Sequence, residues 1–367
     1  MFRLRVVQAN FGDCLILEYG TAAAPRFMLI DGGPPDVFSD HLESELKKIK
    51  ADGGKLDLVA ISHVDNDHII GLLDLFAAIR DQRTNHQPEL IAIDGLWHNS
   101  FAKTLDPNSD IMPQIAGLTA LNGVAAPHSA AAILGIGEGN KVRQLALQLG
   151  IALNNGFDDD LICVDDAPDA RMFGNLEVRI VGPTRANLEE LRLEWEEWLD
   201  ENGPDLASGN PLLMANADTS VPNLSSVMFL ATAENKTVLL TGDGRSDHLL
   251  SGLKAAGLLA ENGQFHVDIL KVMHHGSNRN ATKKFFRTVT ADTYVVSANG
   301  HPDNPDLSTL IWIVEAAKAQ NRRISILFTN ETPATVKLPQ EYPPAEYGYT
   351  MSVLPATKSS VVLTLAP

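Results

Sequence analysis

Short apolar runs, separated by turn residues and polar stretches, organise the chain, and their spacing switches between the period of strands and that of helices. Residues 3–8 and 14–19 (Cys14-Leu15-Ile16-Leu17-Glu18-Tyr19) read as two strands around Asn10-Phe11-Gly12-Asp13. Arg26 to Ile30 reads as a third, ending in Asp31-Gly32-Gly33, where the glycines allow a sharp turn. Ser39 to Lys50 places Leu42, Leu46 and Ile49 on one helical face, with Glu43 four residues before Lys47. The run Leu56-Asp57-Leu58-Val59-Ala60-Ile61 predicts a buried strand, and Ile69 to Arg80 a helix soon after it. Leu90 to Trp97 is expected to form another strand, ending in His98.

The middle of the chain is less regular. Between residues 101 and 160 only Asn140 to Leu149 has a helical pattern with an N-cap. A short strand at Leu161 to Val164 is expected among acidic loops, whose aspartates match no calcium-loop spacing. Leu176 to Val181 predicts a strand. Asn187-Leu188-Glu189-Glu190 predicts the capped start of a helix with Leu188, Leu191, Trp195, Trp198 and Leu199 on one face. Gly203-Pro204 stops that helix, and the polar run from Pro204 to Val221 reads as a surface insertion or lid. Strands resume at Asn223 to Leu230, Thr237 to Thr241, Val267 to Val272 and Tyr294 to Ser297. An amphipathic helix follows Pro305 as far as Gln320, and Ile324 to Phe328 and Val361 to Leu365 close the sheets.

Strand blocks alternating with helices point to an α/β layered fold. At 367 residues the chain can bury a large core, and 44% apolar with 20% charged residues is ordinary for a globular protein. No apolar run is long enough to span a bilayer, the first residues read as a strand rather than a secretory signal, and Cys14 and Cys163 form no metal or disulfide pattern. The expectation is therefore a cytoplasmic protein. A net charge of −17 repels nucleic-acid backbone unless metals reverse the local field, which argues against tight, metal-independent binding of long DNA.

The candidate chemistry lies at the ends of the strands. Ser62-His63-Val64-Asp65-Asn66-Asp67-His68 sits where a buried strand gives way to a helix. Imidazole and carboxylate ligate divalent metals, and His63, Asp65, Asp67 and His68 can surround one or two ions. The opening helix also favours an anion such as phosphate. Gly242-Asp243-Gly244, His274-His275-Gly276-Ser277 and Gly300-His301-Pro302 each follow a later strand.

The stretch from His63 to His68 resembles the H-x-[HD]-x-D-H signature of the metallo-β-lactamase-fold hydrolases. With Asp65 in the variable position it looks most similar to the hydrolase domain of the DNA-uptake channel protein ComEC and its free-standing relatives. The opening G-D turn, the I-D-G-G turn, the G-D-G turn, H-H-G-S and G-H-P resemble that group's motifs in order. The resemblance implies a four-layer αββα sandwich over residues 1–367, with an insertion or elaboration around 101–220. It implies two divalent ions, zinc, manganese or iron. His63, Asp65 and one histidine of the 274–275 pair would hold the first, and Asp67, His68 and His301 the second, with Asp243 between them. Asp31 is expected to be a supporting group, and His98 is the one candidate for a family histidine that otherwise lacks a counterpart.

Two ions so held would bring the pKa of a bridging water toward ~7, giving a hydroxide that attacks phosphorus or a carbonyl. A carboxylate at Asp65 tilts the site toward manganese or iron, making a phosphodiesterase or nuclease the leading expectation. A small-ester or phosphorylcholine-type hydrolase is the first alternative, and a metal-retaining partner-binding protein with little turnover the second. Asp67 and His274 are the candidate catalytic residues. Adjacent side chains at a strand end point to opposite sides, so the two histidines are not expected to bind the same ion in the same way. The resemblance, whose motif turns at Gly276 and Ser277, implies His275 as the ligand, leaving His274 as a supporting group or a proton donor to the leaving oxygen.

Overall fold

In the computed structural model, which describes residues 1–99, 129–157, 161–190, 192–193, 196–197 and 225–367, the apolar runs pair into two sheets. In the first, β1 (Phe2–Val7), β2 (Leu15–Thr21) and β3 (Ala24–Ile30) are antiparallel neighbours. Beyond β3, β4 (Leu56–Ala60), β5 (Gly95–Trp97) and β6 (Ala152–Leu153) run parallel. In the second sheet, β7 (Arg171–Phe173), β8 (Leu176–Gly182), β9 (Met228–Ala233) and β10 (Lys236–Leu240) are antiparallel. Then β11 (Phe265–Lys271), β12 (Val289–Val296), β13 (Ile324–Phe328) and β14 (Tyr349–Val353) follow in parallel. The final strand, β15 (Ser360–Ala366), returns to the first sheet beside β1. Each sheet thus has an antiparallel block followed by a parallel one, an internal likeness that the sequence does not display.

The sheets face each other across an apolar layer in which Leu4, Leu17 and Met28 meet Ile180, Phe229 and Val238. Burial of such side chains contributes about 1.5–3 kcal/mol each. A one-residue slip of any strand would turn its apolar set outward, so this layer also fixes register. Helices α1 (Glu43–Ala51) and α2 (Asn66–Thr84), with the helix Ser129–Gln148, cover the outer face of the first sheet through Leu46, Ile49, Leu75, Phe76 and Val142. The helices Ser246–Ala255, Lys283–Thr288, Leu307–Ala319 and Pro333–Glu341 cover the second through Leu249, Phe285, Ile313 and Leu338. The arrangement is a sandwich of helix, sheet, sheet and helix. Among the described residues no helix is long and apolar enough to cross a membrane.

Several local expectations change. The helix Ser129–Gln148 begins well before Asn140, so that residue is not its cap. Residues 161–164 form no strand; the chain instead makes a 3₁₀ turn at Val164–Asp166. The helical segment over 185–190 is capped by Thr184 rather than Asn187. The Thr184 hydroxyl accepts from the Asn187 amide at 3.2 Å, and the Asn187 side-chain oxygen accepts from the Thr184 amide at 3.2 Å, a reciprocal box. Within the expected 101–220 insertion, residues 101–128, 158–160, 191, 194–195 and 198–220 lie outside the described residues, and with them Leu191, Trp195, Trp198, Leu199 and the run Pro204 to Val221.

Candidate metal centre

Parallel strands deliver their carboxyl ends to one edge, where ligand-bearing loops gather as in other α/β sheets. Asp31 follows β3, Ser62 and His63 follow β4, Asp243 follows β10, His274 and His275 follow β11, and Ser297 follows β12. Asp65 stands at the N-cap position of α2, and Asp67 and His68 lie in its first turn. The turn after β1 closes on this loop. A Cβ on Gly12 would lie 1.9 Å from the Asp67 carbonyl oxygen, so only glycine allows the approach.

Asp243 is the meeting point. Its Oδ1 lies 3.3 Å from His68 Nε2. Its Oδ2 lies 3.4 Å from His275 Nε2, 3.7 Å from His274 Nε2 and 3.8 Å from His63 Nε2. Asp67 Oδ2 is 3.2 Å from His275 Nε2 and 3.7 Å from His68 Nε2, and Asp65 Oδ2 is 3.5 Å from His63 Nε2. Among the described residues three groups have donor atoms mutually within 4.8 Å: Asp67, His68, Asp243 and His275 in one, His63, Asp65 and Asp67 in another, and Asp13, Asp31 and His68 in a third behind them. His275 therefore falls on the Asp67–His68 side, whereas the resemblance put a histidine of that pair with His63 and Asp65.

The far edges of the rings are tied. His68 Nδ1 pairs with Asp31 Oδ2 at 2.8 Å, and Asp31 in turn accepts from the Ser62 amide at 2.8 Å and the Ser62 hydroxyl at 2.7 Å. His275 Nδ1–H donates to the Ser297 carbonyl at 2.8 Å, and His274 Nδ1–H to Asn280 Oδ1 at 2.7 Å. A ring that donates from Nδ1 to a carbonyl turns its Nε2 lone pair toward the cluster, the support expected behind a metal ligand. In agreement, His63 Nε2, His68 Nε2, His275 Nε2, Asp65 Oδ1 and Asp243 Oδ1 are buried without hydrogen-bond partners. Orphaned polar atoms of this kind are costly unless something else satisfies them. Their convergence suits a divalent cation.

Electrostatics agree. Burial alone would raise the Asp67 and Asp243 carboxyls, but the neighbouring imidazoliums outweigh it and hold both well below the carboxylate range. Burial alone would lower His275 and His68, but Asp243 above all pushes His275 up to about 10 and His68 well above its usual value. Without metal, protons on the imidazoles do the neutralising. Groups raised in the folded state stabilise it fully below their unfolded value of about 6.5 and cease to do so as pH climbs through the folded value. Chelator-stripped protein should therefore lose thermal stability between about pH 6.5 and 10. Metal-loaded protein should not, because ions replace the protons. Melting curves across that range decide it; a flat profile for stripped protein would mean that the imidazoles are neutral without metal.

Of the candidate histidines, His301, His98 and His274 fall outside these groups. His301 is exposed, with its ring centroid 5.3 Å from that of Phe11. His98 is buried behind the metal loop beside Gly139, its carbonyl and amide held by Asn154, and burial lowers it to about 4. His274 borders the groups with its side chain 26% exposed. Sequence reasoning missed the supports Ser62, Asn280 and Ser297, which carry no motif of their own. Asp31 is placed as a support behind His68.

Residues 11–135 match a family model described as the metallo-beta-lactamase superfamily. No curated relative matches the chain. Among solved structures it is similar to the metallo-beta-lactamase fold protein YhfI from Bacillus subtilis, at 12% identity, 99% of each chain covered and a TM-score of 0.41. It is also similar to Zn(2+)-bound PqqB from Methylobacterium extorquens, at 11% identity, covering 99% of this chain and 100% of that one, with a TM-score of 0.37. For a diphosphatase from the PhnP family the values are 10% identity, 99% and 98% coverage, and a TM-score of 0.39. Two facing sheets flanked by helices, with the family match over residues 11–135, give this chain the metallo-β-lactamase sandwich fold.

Proposed function

We propose that the protein is a dinuclear metallohydrolase that cleaves phosphodiester bonds, of the ComEC-related type that the Asp65 variant suggests. The observation that carries this reading is the division of Asp243: one oxygen faces His68, the other faces His63, His274 and His275, and Oδ1 has no other partner. A single carboxylate so placed suits two ions rather than one. His63 and Asp65 would hold the first ion and Asp67, His68 and His275 the second, with Asp243 shared. Bound there, divalent ions supply an acidified water near neutral pH and stabilise charge on the phosphoryl oxygens.

The chain's own groups do the rest. His274 is the most accessible histidine of the cluster. Asn280 fixes its Nδ1–H and leaves Nε2 facing the site, the placement required to protonate a departing alkoxide. Asp67 belongs to two of the donor groups and keeps 22% of its side chain exposed, so it can orient an attacking water and accept its proton. Three carboxylates among the metal-facing groups give the site oxygen character, which favours manganese or iron and phosphate chemistry. The net charge of −17 favours small or short substrates over long DNA.

The test is hydrolysis of bis-p-nitrophenyl phosphate, p-nitrophenyl phosphorylcholine and single-stranded DNA by chelator-stripped protein with added manganese. Turnover of the diester and of short DNA, abolished by chelator, is expected. Hydrolysis of p-nitrophenyl phosphorylcholine alone would assign the small-ester or phosphorylcholine-type reading, and metal binding without turnover the partner-binding one.

A further inference from the structure

Behind the metal-facing atoms lies a buried pair that the mechanism above does not use. Asp13, in the turn after β1, and Lys271, the last residue of β11, form a close ion pair with side chains 2% and 1% exposed. Lysine is almost never buried to this degree without a partner. Asp13 is tied to the centre in three ways. Its amide donates to the Asp67 carbonyl at 3.2 Å. Its Oδ1, without a hydrogen-bond partner, lies 3.7 Å from His275 Nδ1. A donor atom of each of Asp13, Asp31 and His68 falls within 4.8 Å of the others. The carboxylate thus stands behind both imidazoles rather than among the Nε2 atoms.

We propose that the Asp13–Lys271 pair is the charge-setting and positioning element of this centre, fixing its negative charge at the value that two divalent cations neutralise. The clusters contain five carboxylates, those of Asp13, Asp31, Asp65, Asp67 and Asp243. Lys271 offsets one of them, leaving four negative charges, which is the charge of two divalent ions. A buried ion pair is seldom required for stability, since an apolar pair of similar volume often serves as well. Its place against His275 and Asp67 gives it a task that an apolar pair could not perform. Asp13 sustains the charge behind the ligands, and Lys271 keeps that charge from exceeding what two ions balance. The inference rests on the two-ion reading above.

The test is a cycle of Asp13→Asn, Lys271→Met and the double variant in the full chain. Manganese and zinc affinities are measured by competition with a chromophoric chelator, with circular dichroism confirming the fold. Asp13→Asn should bind metal about 10–100-fold more weakly, the usual loss when a supporting carboxylate is removed. Lys271→Met should bind no more weakly than the native chain. The double variant restores the native charge and should recover at least about tenfold of what Asp13→Asn loses. Affinities unchanged in all three, or a double variant as weak as Asp13→Asn, would make the pair merely structural and overturn the proposal. Should Asp13→Asn fail to fold, the neutral double variant still decides: two bound equivalents support the proposal, and one or none overturns it. A native chain holding one ion would instead remove the two-ion reading itself.

Discussion

Asp243→Asn should strip the protein of at least one ion per chain and lower diester hydrolysis by about a hundredfold or more, since in the proposed two-ion centre Asp243 would be shared by the ions that acidify the nucleophile. The substitution keeps the shape of the side chain but leaves one oxygen in place of two and removes a full charge. Asp243 is buried, and its two oxygens face different histidines. Neither His63 nor His68 can take over the shared position, because each ring reaches Asp243 only through Nε2. Elemental analysis beside the kinetics separates a metal defect from a chemical one. A variant that retains both ions and turns over normally would take Asp243 out of the bridge.

The second large effect separates two neighbours. His275→Ala should lower metal content and activity together, because His275 belongs to the four-residue donor group and its Nδ1–H is committed to Ser297. His274→Ala should keep the metal and lower turnover about 10²–10⁴-fold, the range of a general acid, most severely on substrates with poor leaving groups. Metal stoichiometry of the two variants, measured side by side, is the deciding readout. Metal lost from His274→Ala and kept by His275→Ala would reverse the assignment.

The ligand loop was legible because its donors are local. His63, Asp65, Asp67 and His68 sit within one strand-to-helix junction, and the later donors each follow a strand. The orientation of His274 and His275 was not legible. Alternation of side chains applies while the chain is extended, but β11 ends at Lys271 and both histidines take positive φ, 44° and 54°. Both rings therefore turn toward Asp243 instead of to opposite sides. His301 follows a strand as the others do, yet it lies exposed against Phe11, because strand-end position alone does not set where a loop carries its side chain. The Asp13–Lys271 pair joins residues far apart in sequence, and only the packing of the two sheets shows it. Helix boundaries failed for local reasons: at Thr184 and Asn187 two capping residues compete for one start, and the earlier one prevails.

The central claim, a two-ion centre that hydrolyses phosphodiesters, is tested most directly by titrating chelator-stripped protein with manganese while following cleavage of bis-p-nitrophenyl phosphate. Activity should rise with added metal and level off at two equivalents per chain. A plateau at one equivalent, or no hydrolysis at any metal concentration, would contradict it.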